Sequence, residues 1–193
     1  MITPRLLKFK RGEGLRPFPL YALWTGYKSM ADTKQITVLG LGNILLKDEG
    51  FGVNFIKWFL ERHDFKDSVR ILDGGTLGYR LLDIVTSSSY LIAVDVIKLD
   101  EEPGAMYRFT QEEMMLRMPD PTTAHEVEFP DVLSMADLMG ELPEVIFLCI
   151  IPESYGTMEL EMTPKMTEAF PAMETLLLQE LAKLGLNPGE VHT

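Results

Sequence analysis

Three side chains of the types that bind divalent metals lie far apart in the chain. Glu49 follows an apolar run within GLGNILLKDEGFG (residues 40–52), Asp95 follows the apolar run 90–94, and His125 lies in a polar loop before a helical pattern. Two carboxylates and an imidazole suit zinc, nickel or manganese, and three protein ligands with one open position are typical of catalytic and metal-sensing sites. Each residue also has a structural explanation: a charge at a helix start, a strand-end cap, and a surface loop residue. The pattern predicts a metal site and leaves these roles open.

The two glycines after the first apolar run do not make a nucleotide-binding loop. The fingerprint GxGxxG would need glycine at position 45, which is Leu45, and no Gly-Lys-Ser/Thr sequence occurs in the chain. Asp48 and Glu49 would also repel a pyrophosphate at the start of the following helix. A second glycine turn, DGGTLG (residues 73–78), fits a plain tight turn as well as a substrate loop.

Apolar runs alternate with helical patterns along the chain. Runs at 36–39, 69–72, 90–94, 105–109 and 144–151 predict strands, and patterns at 51–60, 78–86, 110–117, 130–140 and 164–184 predict helices. Pro171 should kink or split the last helix, because an interior proline costs about 3 kcal/mol. Near-continuous apolar strands alternating with helices indicate an α/β fold, a three-layer αβα sandwich with a mostly parallel twisted sheet. If the strand order is 2-1-3, ligands bind between strands one and three, beside Glu49 and Asp95.

Composition limits the class of protein. The chain has 193 residues, 46% of them hydrophobic, and a formal net charge of −11, which suits one domain with a sizeable core and argues against nucleic acid as a partner. Residues 1–34 hold seven Lys and Arg against two acidic residues. We interpret them as a basic leader that is disordered or that precedes a true start at Met30. We expect a single catalytic domain over residues 35–187 and a frayed C-terminus over residues 188–193.

The lengths of the apolar runs argue against a membrane protein. No run approaches the roughly 20 apolar residues that a membrane span needs. The single cysteine, Cys149, lies in an apolar run, where a buried core thiol is expected rather than a nucleophile. We therefore expect a cytoplasmic protein with no membrane partner.

Five motifs occur in the order seen in one known family. They are GLGNILLKDEGFGV, ILDGGTLGYRLLD, LIAVDVI, a histidine in a polar loop before DVLSMADLMG, and IIPESYGTMELEMTP. Together, over about residues 35–184, they resemble the hydrogenase maturation proteases, the endopeptidases that trim the C-terminal extension from the large subunit of nickel–iron hydrogenases. The resemblance implies an αβα sandwich in which Glu49, Asp95 and His125 contact the metal. The loop TTAHEVEFPDVL around His125 departs from the usual His-Gln followed by Gly-Leu.

The resemblance also implies how such a site is used. Nickel belongs to the substrate, the hydrogenase large-subunit precursor, and zinc or another divalent ion is a candidate for the resting site. The loop near the scissile peptide would consist of Asp73, Gly74, Gly75 and Thr76. Cleavage would proceed by metal-assisted attack of water, or with Asp73 or Asp95 as general base. Glu49 is the third carboxylate that we expect to be catalytic. We expect the protease to act as a monomer.

Two other functions stay open. A non-catalytic, metal-sensing chaperone could bind the same precursor through the same residues without cutting it. Peptidyl-tRNA hydrolases also begin with a strand followed by GLGN. They continue with Pro-Gly and a Thr-Arg-His-Asn run, where this chain has Ile44 and Leu45 and no such run.

Overall fold

One five-stranded sheet organises the residues that the computed structural model describes, 35–117 and 128–188. The strands are β1 (Gln35–Leu41), β2 (Val69–Gly75), β3 (Ser88–Val96), β4 (Met106–Thr110) and β5 (Glu144–Ile150). Their order across the sheet is β2-β1-β3-β5-β4. All neighbouring strands are parallel except β4, which is antiparallel to β5. The predicted mostly parallel sheet is therefore confirmed, and the strand order meets the 2-1-3 condition under which ligands were expected between strands one and three.

Six helices connect and cover the strands in the described residues. They are α1 (Phe51–Leu60), α2 (Leu82–Thr86), α3 (Gln111–Met115), α4 (Glu128–Leu138), α5 (Pro164–Glu168) and α6 (Phe170–Lys183). Short 3-10 helices, Lys47–Gly50 and Gly78–Leu81, lead into α1 and α2. The predicted split near Pro171 is confirmed: α5 ends before Ala169, and Pro171 lies in the first turn of α6, where no backbone N–H is needed.

The helices cover the sheet on both faces. On one face Phe51, Phe55 and Phe59 of α1 pack with Phe170 and Met173 of α6. On the other face, residues of α2, α3 and α4 form a second buried cluster with side chains of β3 and β5. Because the central strands are buried on both sides, their sequences are mostly apolar rather than alternating. The predicted three-layer α/β architecture is confirmed.

Gly52 lets α1 lie directly on the sheet. A Cβ atom at this position would come within 2.2 Å of the Val94 carbonyl oxygen and 2.4 Å of the Leu41 carbonyl oxygen. Gly52, the last glycine of the first motif, thus allows a helix to pack closely on two strands and does not contact a phosphate group. Within the part of the chain that the structure describes, no helix has both the length and the apolarity needed to cross a bilayer.

Candidate active site

Glu49 and Asp95 both lie where the strand order reverses. In a doubly wound sheet, the crevice at the carboxyl ends of the strands opens at this point, here between β1 and β3. Glu49 is in the 3-10 helix that follows β1, and Asp95 is next to the last residue of β3. A Cβ atom on Gly42 would lie 1.9 Å from the Glu49 carbonyl oxygen and 3.7 Å from Asp95 Oδ1. The turn after β1 therefore brings the two acidic residues to one site.

The Asp95 carboxyl has an unusual proton affinity. Burial raises its pKa to about 7, the Val96 N–H that donates to Oδ1 at 2.7 Å lowers it, and the charge of Glu49 raises it. A carboxyl group with a pKa near 7 can both accept and return a proton near neutral pH. Its neighbour on β5 is Cys149. Burial raises the pKa of that thiol, which is a core side chain as expected.

Glu49 is held in place by the loop that follows β5. Its Oε1 accepts a hydrogen bond from the Gly156 N–H at 2.6 Å. Its backbone carbonyl accepts a second bond from the Asn43 N–H at 3.1 Å. These contacts fix both the carboxylate and the peptide of Glu49 at the mouth of the crevice.

Asp48 has a role different from that of its neighbour. It is fully buried, and its carboxylate accepts hydrogen bonds from the Ser154 N–H at 2.8 Å, the Thr163 N–H at 2.7 Å and the Thr163 hydroxyl at 3.1 Å. Asp48 thus fastens the 3-10 helix after β1 to the segment 152–163. Sequence reasoning treated it only as a charge at a helix start, because its partners are more than 100 positions away.

A second set of contacts joins the same two segments. Leu46 forms an isolated parallel bridge with Glu159, and the Lys47 N–H donates to the Glu159 carbonyl at 2.7 Å. The Lys47 ammonium lies 2.5 Å from the Glu159 carboxylate. These contacts hold the segment 152–163 against residues 46–48, where it forms one wall of the crevice.

We expect Gly42→Ala to lower the free energy of unfolding by about 2–3 kcal/mol, because Gly42 has a φ of +120° and its new methyl group would overlap the Glu49 carbonyl. Gly140→Ala is the matched control. Gly140 also has a positive φ, +71°, but no atom lies within 4 Å of its added Cβ, so it should cost about 1 kcal/mol. Urea unfolding measures both values, and equal losses would contradict the steric argument.

Asp73 has a different partner from Glu49 and Asp95. It is exposed, and its Oδ2 lies 3.5 Å from Lys57 Nζ on α1. The rest of the proposed substrate loop adjoins the turn after β1, because the Gly42 N–H donates to the Gly75 carbonyl at 3.2 Å. Gly74 is buried and Thr76 is exposed.

His125 lies outside the described residues. Within 35–117 and 128–188, no three His, Cys, Asp or Glu side chains are grouped closely enough to hold a metal ion. The helices on either side of residues 118–127, α3 and α4, belong to the same buried cluster as Cys149, the β5 neighbour of Asp95. These two helices therefore pack on the face of the sheet that Cys149 occupies.

The fold and the paired carboxylates at its crevice define a doubly wound α/β protein with a candidate hydrolytic site, and comparisons with known proteins specify the family. Residues 53–180 match the family model HycI, described as hydrogenase maturation protease. The chain is 36% identical over 146 residues to the hydrogenase 2 maturation protease of Escherichia coli strain K12, which covers 74% of this chain and 88% of that protein. It belongs to the hydrogenase maturation protease family, as its motifs predicted.

Other relatives agree with this assignment. The chain is 41% identical over 115 residues to the hydrogenase expression/formation protein HupD of Rhizobium leguminosarum bv. viciae, a match that spans 59% of this chain and 57% of HupD. Among solved structures, it is similar to the hydrogenase maturating endopeptidase HybD from E. coli, with a TM-score of 0.75, 32% sequence identity, and coverage of 81% of this chain and 97% of that one. These matches favour a protease over the peptidyl-tRNA hydrolase alternative.

Proposed function

We propose that this chain removes the C-terminal extension from the large-subunit precursor of a nickel–iron hydrogenase after nickel insertion. The observation that carries the proposal is the pair Glu49 and Asp95 at the crevice between β1 and β3, in a chain whose relatives are named maturation proteases. We further propose that it acts as a monomer in the cytoplasm. Light scattering of the purified protein and fractionation of cells test these two points.

Glu49, Asp95 and His125 would contact the nickel that the precursor carries. Support comes from charge: Glu49 raises the pKa of Asp95 because the two carboxylates repel each other, and a divalent cation between them would relieve that repulsion. Carboxylate oxygens with an imidazole suit such an ion. Zinc or another divalent ion in the resting site would use the same side chains.

Asp95 is the group that we propose moves the proton. Its ionised carboxylate accepts a proton from water as the water oxygen bonds to the scissile carbonyl carbon. The protonated carboxyl then gives that proton to the departing nitrogen as the C–N bond breaks. A divalent ion bound there would polarise the scissile carbonyl or lower the pKa of a bound water. Asp73 is the weaker candidate for this role, because it is exposed and paired with Lys57.

The substrate loop would guide the scissile peptide toward these carboxylates. Gly74, Gly75 and Thr76 follow the end of β2, and the hydrogen bond from the Gly42 N–H to the Gly75 carbonyl ties this loop to the turn that carries Glu49. A glycine pair lets an extended chain approach the backbone closely.

The direct test is the mass of the precursor. We expect the protein to shorten a nickel-loaded large-subunit precursor and to leave the nickel-free precursor intact. Glu49→Gln should lower kcat at least about 100-fold, since it removes a charge at the reacting centre. Intact-mass spectrometry over time measures both effects.

Glu61→Gln is the control for that test, because Glu61 is an exposed carboxylate just after α1. It should leave the cleavage rate unchanged. Binding of the loaded precursor without any mass loss would favour the chaperone alternative, and cleavage that survives Glu49→Gln would contradict the proposed site.

A further inference from the structure

Four exposed apolar side chains lie on two segments that both contact the turn carrying Glu49, residues 44–45 and 158–160. They are Ile44, Leu45, Met158 and Leu160, here called the apolar rim, with exposed fractions of 41%, 54%, 83% and 70%. Contiguous apolar side chains on a surface mark interaction sites more often than single ones do. None of the four supports the described core, so their position needs another explanation.

The contacts already described bring the two segments of the apolar rim together. The bridge between Leu46 and Glu159 puts Leu45 beside Met158, because both precede the bridged residues in a parallel pair. Leu160 follows Glu159 and is therefore next to Lys47 in the same pairing. The Gly156 N–H bond to Glu49 then joins this surface to the crevice. The segment that carries Met158 and Leu160 therefore adjoins one of the candidate catalytic carboxylates, Glu49.

The surroundings of the apolar rim are acidic. Residues 152–163 contain three glutamates and no Lys, Arg or His. All three are exposed; Glu159 is paired with Lys47, whose charge also interacts with Glu153, and the net charge of the segment with Lys47 stays negative. An open cavity of about 480 Å³ adjoins Leu160 and Glu161. Its size suits one or two side chains of a bound peptide. Such a surface favours an apolar segment with positive charges and disfavours an acidic one.

We propose that the apolar rim docks an apolar segment of the hydrogenase precursor that carries lysine or arginine beside its apolar residues. This inference rests on the proposed function and adds the surface that selects the substrate. The apolar side chains supply contact area with Met158 and Leu160, and Glu153 and Glu161 attract the basic residues. Because the rim lies beside the reacting groups rather than among them, it acts on substrate binding and not on the chemical step.

The test compares KM with kcat for cleavage of the nickel-loaded precursor. We expect Met158→Ser with Leu160→Ser to raise KM about tenfold and to change kcat less than about twofold, since binding energy of this kind is lost equally from ground and transition states. Both side chains are mostly exposed, so the melting temperature should stay within a few degrees of the wild-type value.

A matched control exists at the other end of the sheet. Leu138 and Met139 are also exposed, by 84% and 52%, and they lie at the end of α4, just before the amino end of β5. Replacing both by serine should leave KM unchanged. An equal KM for the two double variants would overturn the docking surface.

A second pair of substitutions tests the positive charge of the docked precursor segment. Glu153→Gln with Glu161→Gln should raise KM about threefold to tenfold at low salt and reduce the dependence of KM on salt. A lower KM in this variant would overturn the basic character of the docked segment. If the wild-type protein does not shorten the precursor, the proposed function fails and this inference with it. Normal cleavage with unchanged KM in the rim and charge variants overturns only the inference.

Discussion

Asp95→Asn should abolish processing of the precursor and at the same time make the folded protein more stable at pH 8. The loss of cleavage follows from the role proposed for the carboxylate, because asparagine cannot accept the proton of the attacking water. A decrease in kcat of at least about 100-fold is expected from the loss of a general base. Intact-mass measurements on the nickel-loaded precursor give this value.

The gain in stability has a separate cause. Burial and the charge of Glu49 raise the pKa of folded Asp95 from 3.8 to about 7. The folded state therefore holds a proton that the unfolded chain has already lost between these two pH values, so stability falls as the pH rises through this interval. The full interval corresponds to about 4 kcal/mol at pH 8. Because the side chain is only partly buried, we expect roughly 1–3 kcal/mol after screening by water.

Urea unfolding of Asp95→Asn and the wild-type protein at pH 4 and pH 8 tests this prediction. The difference in free energy of unfolding should be small at pH 4, which is close to the unfolded pKa of 3.8, and should favour the variant at pH 8. Asp137→Asn, at an exposed position of α4, is the matched control for replacing an aspartate by asparagine. A difference of the same size at both pH values would contradict the electrostatic cause, and a gain in stability without loss of cleavage would contradict the proposed role.

Asp48→Ala should produce the second large effect, a loss of about 3–5 kcal/mol in the free energy of unfolding. The substitution removes three hydrogen bonds to a buried carboxylate and leaves the N–H groups of Ser154 and Thr163 without their acceptor. The same contacts hold the segment 152–163 beside Glu49. We therefore expect kcat/KM for the precursor to fall as well, although Asp48 itself is buried below the crevice.

Asp48→Asn is the graded comparison for this experiment. The amide keeps one acceptor oxygen and the volume of the side chain, so its cost should lie between that of the wild-type protein and that of alanine. Urea unfolding measures stability, and limited proteolysis reports whether the segment 152–163 has come loose. If the free energy of unfolding of the alanine variant is within 1 kcal/mol of the wild-type value and this segment is still protected from proteolysis, Asp48 does not hold the segment 152–163 in place.

The sequence by itself determined the order of strands and helices along the chain, whereas the place of the crevice also depended on the 2-1-3 strand order that the structure supplied. The apolar runs at 36–39, 69–72, 90–94 and 144–151 all coincide with strands, and β4 begins one residue later than expected. These features were predictable because they depend on neighbouring residues: apolar periodicity, and the missing N–H of Pro171. The ordered motifs were also enough to predict the family that the comparisons then found.

Only the tertiary structure decided what each carboxylate contacts. Asp48 and Glu49 are adjacent in sequence, yet Asp48 is buried on Ser154 and Thr163 while Glu49 faces Gly156. Asp73 ends beside Lys57, and Asp95 acquires a pKa near 7. No local pattern could predict these differences, because hydrogen bonds across more than 100 residues and desolvation by burial arise only when distant segments pack against each other.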